Sequence, residues 1–127
     1  MVFDTASLTT TADDPQAVWL EGTGHMIAAL VAQVLRGNDN LQGLFADLEK
    51  AVGLLQQSML AQNELGVGKT AGGKPIPKGE GLVAATSVMD TGFGYTYGPS
   101  LHIGATGWYL LGALGANPFQ LGYRVIG

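Results

Sequence analysis

The most regular feature of the chain is a run of large apolar residues that recur at intervals of three and four along 39–62. This spacing places them on one face of a helix and leaves the charged and amide side chains on the other. We therefore predict an amphipathic helix over 39–62 with one solvent-exposed face and one apolar stripe. The apolar stripe consists of Leu41, Leu44, Phe45, Leu48, Val52, Leu55 and Met59. The positions predicted to be buried are Leu44, Leu48, Val52 and Leu55.

Two further segments, 14–36 and 101–114, are apolar or small on most sides, a pattern typical of buried helices. Each is flanked by residue types that begin or end helices. The expected start and stop residues are Asp14, Pro15 and Gly37 for the first segment, and Ser100 and Gly115 for the second.

The two buried helices share a short internal similarity, because Thr23-Gly24 and Thr106-Gly107 each lead into an apolar run. In a stack of αα-hairpins these would be inner helices, and 39–62 would be an outer one. We therefore predict an all-α fold of three to four helices packed as αα-hairpins, like a partial (α/α) toroid, with no sheet of more than three short strands.

The remaining segments lack helical periodicity. Residues 1–12 are rich in Ser and Thr and are expected to form a flexible N-terminal arm, leaving 13–127 as a single helical domain. Residues 66–81 contain six Gly, two Pro and three Lys, which predicts a long loop. Residues 82–99 are expected to be an ordered loop with short strand-like pieces.

Composition narrows the classes of function. The net charge of −4 argues against nucleic acid as a partner, since that would call for a basic face. The absence of Cys excludes disulfides and thiolate chemistry. The apolar runs are shorter than the roughly 20 residues that cross a bilayer, so no membrane partner is expected. The lack of a signal peptide in the first ten residues predicts a cytoplasmic location.

Two groups of residues are candidates for chemistry. Glu21 and His25 lie one helical turn apart, and a carboxylate in an apolar helix is either paired structurally or exposed to a polar pocket. The run 90–98 alternates glycine with Phe93, Tyr95 and Tyr97, whose rings suit either sugar stacking or plugging the end of the helical layer. A metal site would need a third ligand beside Glu21 and His25, which only Asp90 or His102 could supply, so neither a metal nor a cofactor is expected.

Two short segments resemble functional motifs, but the residues around them favour a structural role. Residues 68–70, Gly-Lys-Thr, resemble the end of a phosphate-binding loop, but a helix precedes them and prolines follow. Residues 98–102 resemble a nucleophile elbow in which His102 replaces the second glycine. We interpret the first as a flexible cationic loop and assign Ser100 as a helix cap.

Three stretches in order resemble the six-hairpin, (α/α)-barrel carbohydrate enzymes. Residues 17–24, AVWLEGTG, are similar to the W-x-E-G-T motif that opens a helix in that family. Residues 85–94, ATSVMDTGFG, resemble its late loop, and residues 101–119 look like its last inner helix and exit.

This resemblance implies a sugar-binding cleft, with Glu21 and Asp90 at the catalytic positions. The ligand-binding residues it implies are Trp19, His25, Tyr95, Tyr97, His102 and Trp108. Because a complete ring needs many more helices, the chain is expected to be a carbohydrate-associated domain that is inactive alone, any activity being glycoside hydrolase-like. Two alternatives stay open: a non-catalytic module that associates with itself, and a small enzyme in which Glu21 acts with His25 or His102.

Self-association is predicted from the apolar helices. Neither 14–36 nor 101–114 has a continuous charged face, and 39–62 offers a single apolar stripe to cover them. A second copy would supply the missing cover, so we expect a homodimer with an apolar interface of more than about 1,000 Å².

Overall fold

The structure, a computed structural model, describes residues 14–37, 40–65, 70–71, 74–75 and 79–119. Three helices dominate this part of the chain: α1 (Leu20–Arg36), α2 (Leu41–Glu64) and α3 (Ile103–Ala113). Two-residue strands form two antiparallel pairs, β1 (Thr70–Ala71) with β2 (Lys74–Pro75), and β3 (Met89–Asp90) with β4 (Thr96–Tyr97). The prediction of a mostly helical chain, with no sheet of more than three strands, is confirmed for the described residues.

The predicted start of the first helix is wrong by six residues. Asp14 and Pro15 belong to a turn, in which the Asp14 carboxylate accepts hydrogen bonds from the Gln16 amide and the Ser87 hydroxyl. These two bonds, the Ser87 bond first, lower the pKa of Asp14. The helix begins only at Leu20 because the preceding residue, Trp19, forms an antiparallel β-bridge with Ala85. The helix ends at Gly37 as predicted, at a positive φ of 75° that glycine adopts without strain.

The second helix begins and ends two residues later than predicted, and its buried face differs from the predicted one. Asn40 caps it by accepting from the Gly43 amide at 3.3 Å. The fully buried positions are the small residues Ala51, Ser58 and Ala61. Leu48 and Val52 are exposed, and Leu44 and Leu55 are half-buried. The 2–5 kcal/mol typical of a buried leucine therefore does not apply to Leu48 in a single chain.

Size explains this difference. Small side chains let α2 approach α1 closely, so the face with Ala51, Ser58 and Ala61 turns inward and the larger residues beside it stay outside. The Gln33 amide of α1 donates to the Asp47 carboxylate of α2 at 2.8 Å near the connecting turn. Leu20 and Ala61 share one apolar cluster near the other end. α1 and α2 are therefore an antiparallel αα-hairpin.

The third helix begins at a different cap from the predicted one. Ser100 is not the cap; His102 is, and its Nδ1 accepts from the Ala105 amide at 3.1 Å. The helix ends before Gly115, whose φ is 68°.

α1 and α3 lie side by side and run in the same direction. Glycines make their closest contacts: a Cβ at Gly104 would meet Glu21, one at Gly24 would meet Trp108, and one at Gly112 would meet Ile27. The contacts advance together along both helices, which requires a parallel arrangement. Residues that face each other across the two helices differ by about 84 positions in the sequence. The separation between Thr23-Gly24 and Thr106-Gly107 is close to this value.

An extended segment, 82–86, occupies the centre of the molecule. Leu82, Val83 and Ala85 have no exposed surface. On one side the Ala84 carbonyl accepts from the Leu20 amide at 3.0 Å; on the other, the Leu82 carbonyl accepts from the His102 amide at 2.9 Å. The expected loop at 82–99 is therefore, in its first part, the core segment that holds the starts of α1 and α3 next to each other.

Several sequence predictions lie outside the described residues. They are the N-terminal arm at 1–12, the end of the predicted helical domain at 120–127, and large parts of the loop at 66–81, including Lys69. Within that loop, β1 and β2 pair in a short antiparallel ladder. No helix in the described part of the chain is long and apolar enough to span a membrane.

Candidate functional site

Segment 82–86 brings three elements together: the first turns of α1, the start of α3, and the β3–β4 hairpin. Each contributes polar or aromatic side chains that are far apart in sequence. We refer to Glu21, Tyr95, Tyr97 and His102 as the carboxylate cluster, and to Trp19, His25, Trp108 and Phe119 as the aromatic row.

His102 is the buried centre of the carboxylate cluster, with 7% of its surface exposed. Because Nδ1 accepts from the Ala105 amide, the neutral ring carries its proton on Nε2. The Glu21 carboxylate lies 3.9 Å from the same Nδ1. Protonation of Nδ1 would replace the helix cap with an ion pair to Glu21, so these two interactions exclude each other.

The Glu21 carboxylate packs closely against the start of α3. A Cβ at Gly104 would stand 2.7 Å from Glu21 Oε1 and 2.9 Å from the His102 ring. Only glycine at this position leaves space for the carboxylate beside the first turn of α3, whose free amides favour a negative charge. The Glu21 carboxylate therefore lies beside the first turn of α3 and the His102 ring, whereas the spacing in sequence had suggested a pair with His25.

Tyr97 covers His102 from the hairpin. Its ring centroid lies 5.4 Å from that of His102 and 5.8 Å from that of Tyr95, both in edge-to-face geometry. Burial raises the pKa of Tyr97 above its ordinary value, and repulsion and hydrogen bonding from Tyr95 and the negative charge of Glu21 raise it further.

The raised pKa predicts that Tyr97 stays protonated where exposed tyrosines ionise, near pH 10. The folded state then holds this proton more tightly than the unfolded state, so its stabilising contribution is complete below about pH 10 and is lost as pH rises further. Phenolate absorbance is titrated in the natural protein and in Tyr97→Phe, and the difference between the two curves is the ionisation of Tyr97. We expect this ionisation above pH 10. An ionisation at or below pH 10 would contradict this placement of Tyr97.

The aromatic row continues from the carboxylate cluster along the shared edge of α1 and α3. The His25 ring lies 4.0 Å from the Trp108 ring and 5.8 Å from the Trp19 ring, centroid to centroid. Phe119 stacks on Trp108 at 5.3 Å. Trp19 is 40% exposed, so it presents part of its ring to solvent. The Nε2 atoms of His25 and His102 are buried and have no hydrogen-bond partner among the described residues.

Asp90 is not joined to Glu21 by any contact within the described part of the chain. Its carboxylate accepts from the Gly92 amide at 2.8 Å and so shapes the hairpin turn. Its strand position pairs with Thr96, and successive residues of a strand point to opposite faces. Asp90 therefore lies on the other face of the hairpin from Tyr97, which contacts the cluster.

A separate apolar cleft between α1 and α2 was not predicted from the sequence. Its volume is about 420 Å³, and Leu20, Leu54, Leu65 and Thr86 are among its walls. The sequence signal was indirect, because these residues lie outside the stripe and come together only in the tertiary structure.

The described residues contain no group of three or more His, Asp or Glu side chains that would hold a metal ion. Comparisons of the chain with protein-family models, with curated proteins and with solved structures found no match.

Proposed function

We propose that this chain is a carbohydrate-associated domain without catalysis of its own, built like the closing hairpins of an (α/α) barrel. The observation that carries this proposal is the convergence of the carboxylate cluster and the aromatic row at one edge of α1 and α3. Seven of the eight residues that the family resemblance implied are in this one assembly; Asp90 is the exception.

The chemistry of the site suits a neutral saccharide. Trp19 and Tyr95 are 40% and 46% exposed, so their rings are available for stacking, and the Glu21 carboxylate can accept hydrogen bonds from hydroxyl groups. Glycoside hydrolysis requires two carboxyl groups on either side of the scissile bond, about 5 to 9.5 Å apart. Asp90, the second carboxylate that the resemblance implied, lies on the face of the hairpin opposite Tyr97, which supports binding rather than hydrolysis.

The arrangement of the helices supports the toroid-like part of the proposal. In stacked αα-hairpins, inner helices run parallel to each other and outer helices run against them. α1 and α3 are parallel and in close contact, and α2 runs antiparallel to α1.

Titration with neutral oligosaccharides, followed by tryptophan fluorescence, tests the proposal. We expect a saturable change at about millimolar concentration, which corresponds to about −4 kcal/mol of binding free energy. Tyr95→Ala should weaken saccharide binding. Phe93→Ala should leave the binding unchanged, because the Phe93 ring is on the same hairpin but is 82% exposed. No response at millimolar sugar, or equal effects of both substitutions, would count against this function.

A second function is favoured by a different observation, the apolar surface that the chain leaves exposed on all three helices. The exposed side chains include Met26 and Leu35 on α1, Phe45 and Met59 on α2, and Ile103 and Leu110 on α3. Exposed apolar surface of this extent marks an interaction site, and we propose that the chain is also a self-associating module.

Sedimentation at micromolar concentration measures the self-association directly. We expect a dimer, because covering these side chains removes apolar surface from water. A clean monomer at micromolar concentration would show that the exposed residues are tolerated singly on the surface and would overturn this second function.

A further inference from the structure

Most of the apolar stripe predicted on α2 faces solvent. We call Leu41, Phe45, Leu48, Val52, Leu55 and Met59 the α2 stripe, which leaves out the half-buried Leu44 of the predicted set. Five of the six are between 43% and 66% exposed, and Leu55 is half-buried. The stripe is separate from the buried positions Ala51, Ser58 and Ala61, so a partner would cover it without disturbing the packing of α2 on α1.

We propose that the α2 stripe pairs with the α2 stripe of a second copy of this chain, in antiparallel orientation about a two-fold axis at residue 50. This inference rests on the self-association proposed above and names the surface, the orientation and the register.

The spacing of the stripe makes it self-complementary. Successive members are separated by four, three, four, three and four residues, the repeat of helices that pack with knobs in holes. The same spacings occur when the helix is read backwards from residue 59, so a reversed copy matches every layer. The layers then join Leu41 with Met59, Phe45 with Leu55, and Leu48 with Val52, in each case from different copies.

Two arguments favour the antiparallel pairing over the parallel one. In a parallel pair each residue meets itself, which places two Phe45 rings in one layer and two small Val52 side chains in another. In the antiparallel register each layer combines residues of more even volume, which close packing requires. The opposed helix dipoles of the antiparallel pair also attract each other, whereas parallel dipoles repel.

The size of the stripe is sufficient for a stable pair. Six apolar side chains that keep about half of their surface exposed leave on the order of 600 Å² per copy, so two copies bury about 1,200 Å², which is the lower end of specific interfaces. None of the six members is ionisable, so closing the interface leaves none of their charges buried without a partner.

Engineered cysteines test the register, because the chain has none of its own. Leu41→Cys and Met59→Cys are each made in chains of different mass, mixed, and oxidised mildly. We expect a disulfide between the two variants and little within either one, since two copies of residue 41 lie about 27 Å apart in the antiparallel pair. Lys50→Cys is the control, because it lies level with the axis on the far side of α2 and should not form a crosslink.

Charge substitutions test the surface independently of oxidation. Leu48→Glu should raise the dimer dissociation constant at least about 100-fold while leaving the far-ultraviolet circular dichroism unchanged, because residue 48 is exposed in a single chain. Leu110→Glu, at a position 53% exposed on α3, should change it little.

The outcomes separate this inference from the self-association on which it rests. A dimer that crosslinks only between residues 41 and 59 supports the inference. Crosslinking of Leu41→Cys with itself would establish a parallel pair, and a dimer unaffected by Leu48→Glu would place the interface on another helix; either result overturns the inference and leaves self-association intact. A monomer at all concentrations overturns both.

Discussion

Replacing Gly24 with alanine should destabilise the domain by about 1–3 kcal/mol, the range for forcing extra volume into a packed interior. A Cβ at this position would stand 2.7 Å from the Trp108 Cβ and 2.8 Å from the Trp108 carbonyl carbon. Because the second of these is backbone, the clash cannot be relieved by a change of rotamer. The two helices must move apart, and the contact along Glu21–Gly104 and Ile27–Gly112 loosens with them.

Gly107→Ala on α3 is the matched control. Nothing lies within 4 Å of a Cβ built at Gly107, and the residue is inside a helix. Alanine there should stabilise the domain by about 0.5–1 kcal/mol, because glycine loses more backbone freedom on folding. The same substitution is thus expected to have opposite signs at the two positions. Urea denaturation of both variants measures this, and destabilisation by Gly107→Ala, or none by Gly24→Ala, would contradict the close approach of α1 and α3.

Replacing Leu82 with alanine should cost about 2–5 kcal/mol, the range for truncating a buried leucine. Leu82 has no exposed surface and belongs to one apolar cluster with Leu20, Val83 and Ala105. The truncation removes its transfer free energy and leaves a cavity between the starts of α1 and α3. Thermal unfolding, followed by circular dichroism, measures the loss.

Leu35→Ala controls for the loss of leucine itself. Leu35 is 61% exposed near the end of α1, and changes at such positions usually stay within about 0.5 kcal/mol. Similar costs for both substitutions would show that segment 82–86 is not the centre of the core. A large cost for Leu82→Ala should also weaken the saccharide binding that we propose, because segment 82–86 is hydrogen-bonded to the starts of both α1 and α3.

The elements of the fold could be predicted from the sequence because their signals are local. The spacing of apolar residues, the glycines at 37 and 115, and the polar residues before α2 act within one or two turns. The errors are at places where a distant segment intervened. Asp14 binds Ser87 instead of capping a helix, and His102 caps α3 because the backbone around Ser100 is hydrogen-bonded to Ala84.

The carboxylate cluster was predictable in its members but not in its pairings. Glu21 and His25 are neighbours on one helix face, which made them the obvious pair. The structure instead places Glu21 beside His102, 81 positions away, because Gly104 leaves room for the carboxylate. Asp90 was implied by a motif, and only the alternation of the β3–β4 hairpin shows that it points away from Tyr97.

By itself, the sequence determined that the chain is mostly helical and that α1 and α3 end at glycines, since these features depend on residues close to one another along the chain. The tertiary structure alone decided which face of α2 is buried. Large apolar residues give the stronger periodic signal, but two helices pack at the distance that their smallest side chains allow. Ala51, Ser58 and Ala61 therefore turn toward α1, and the α2 stripe remains on the outer side.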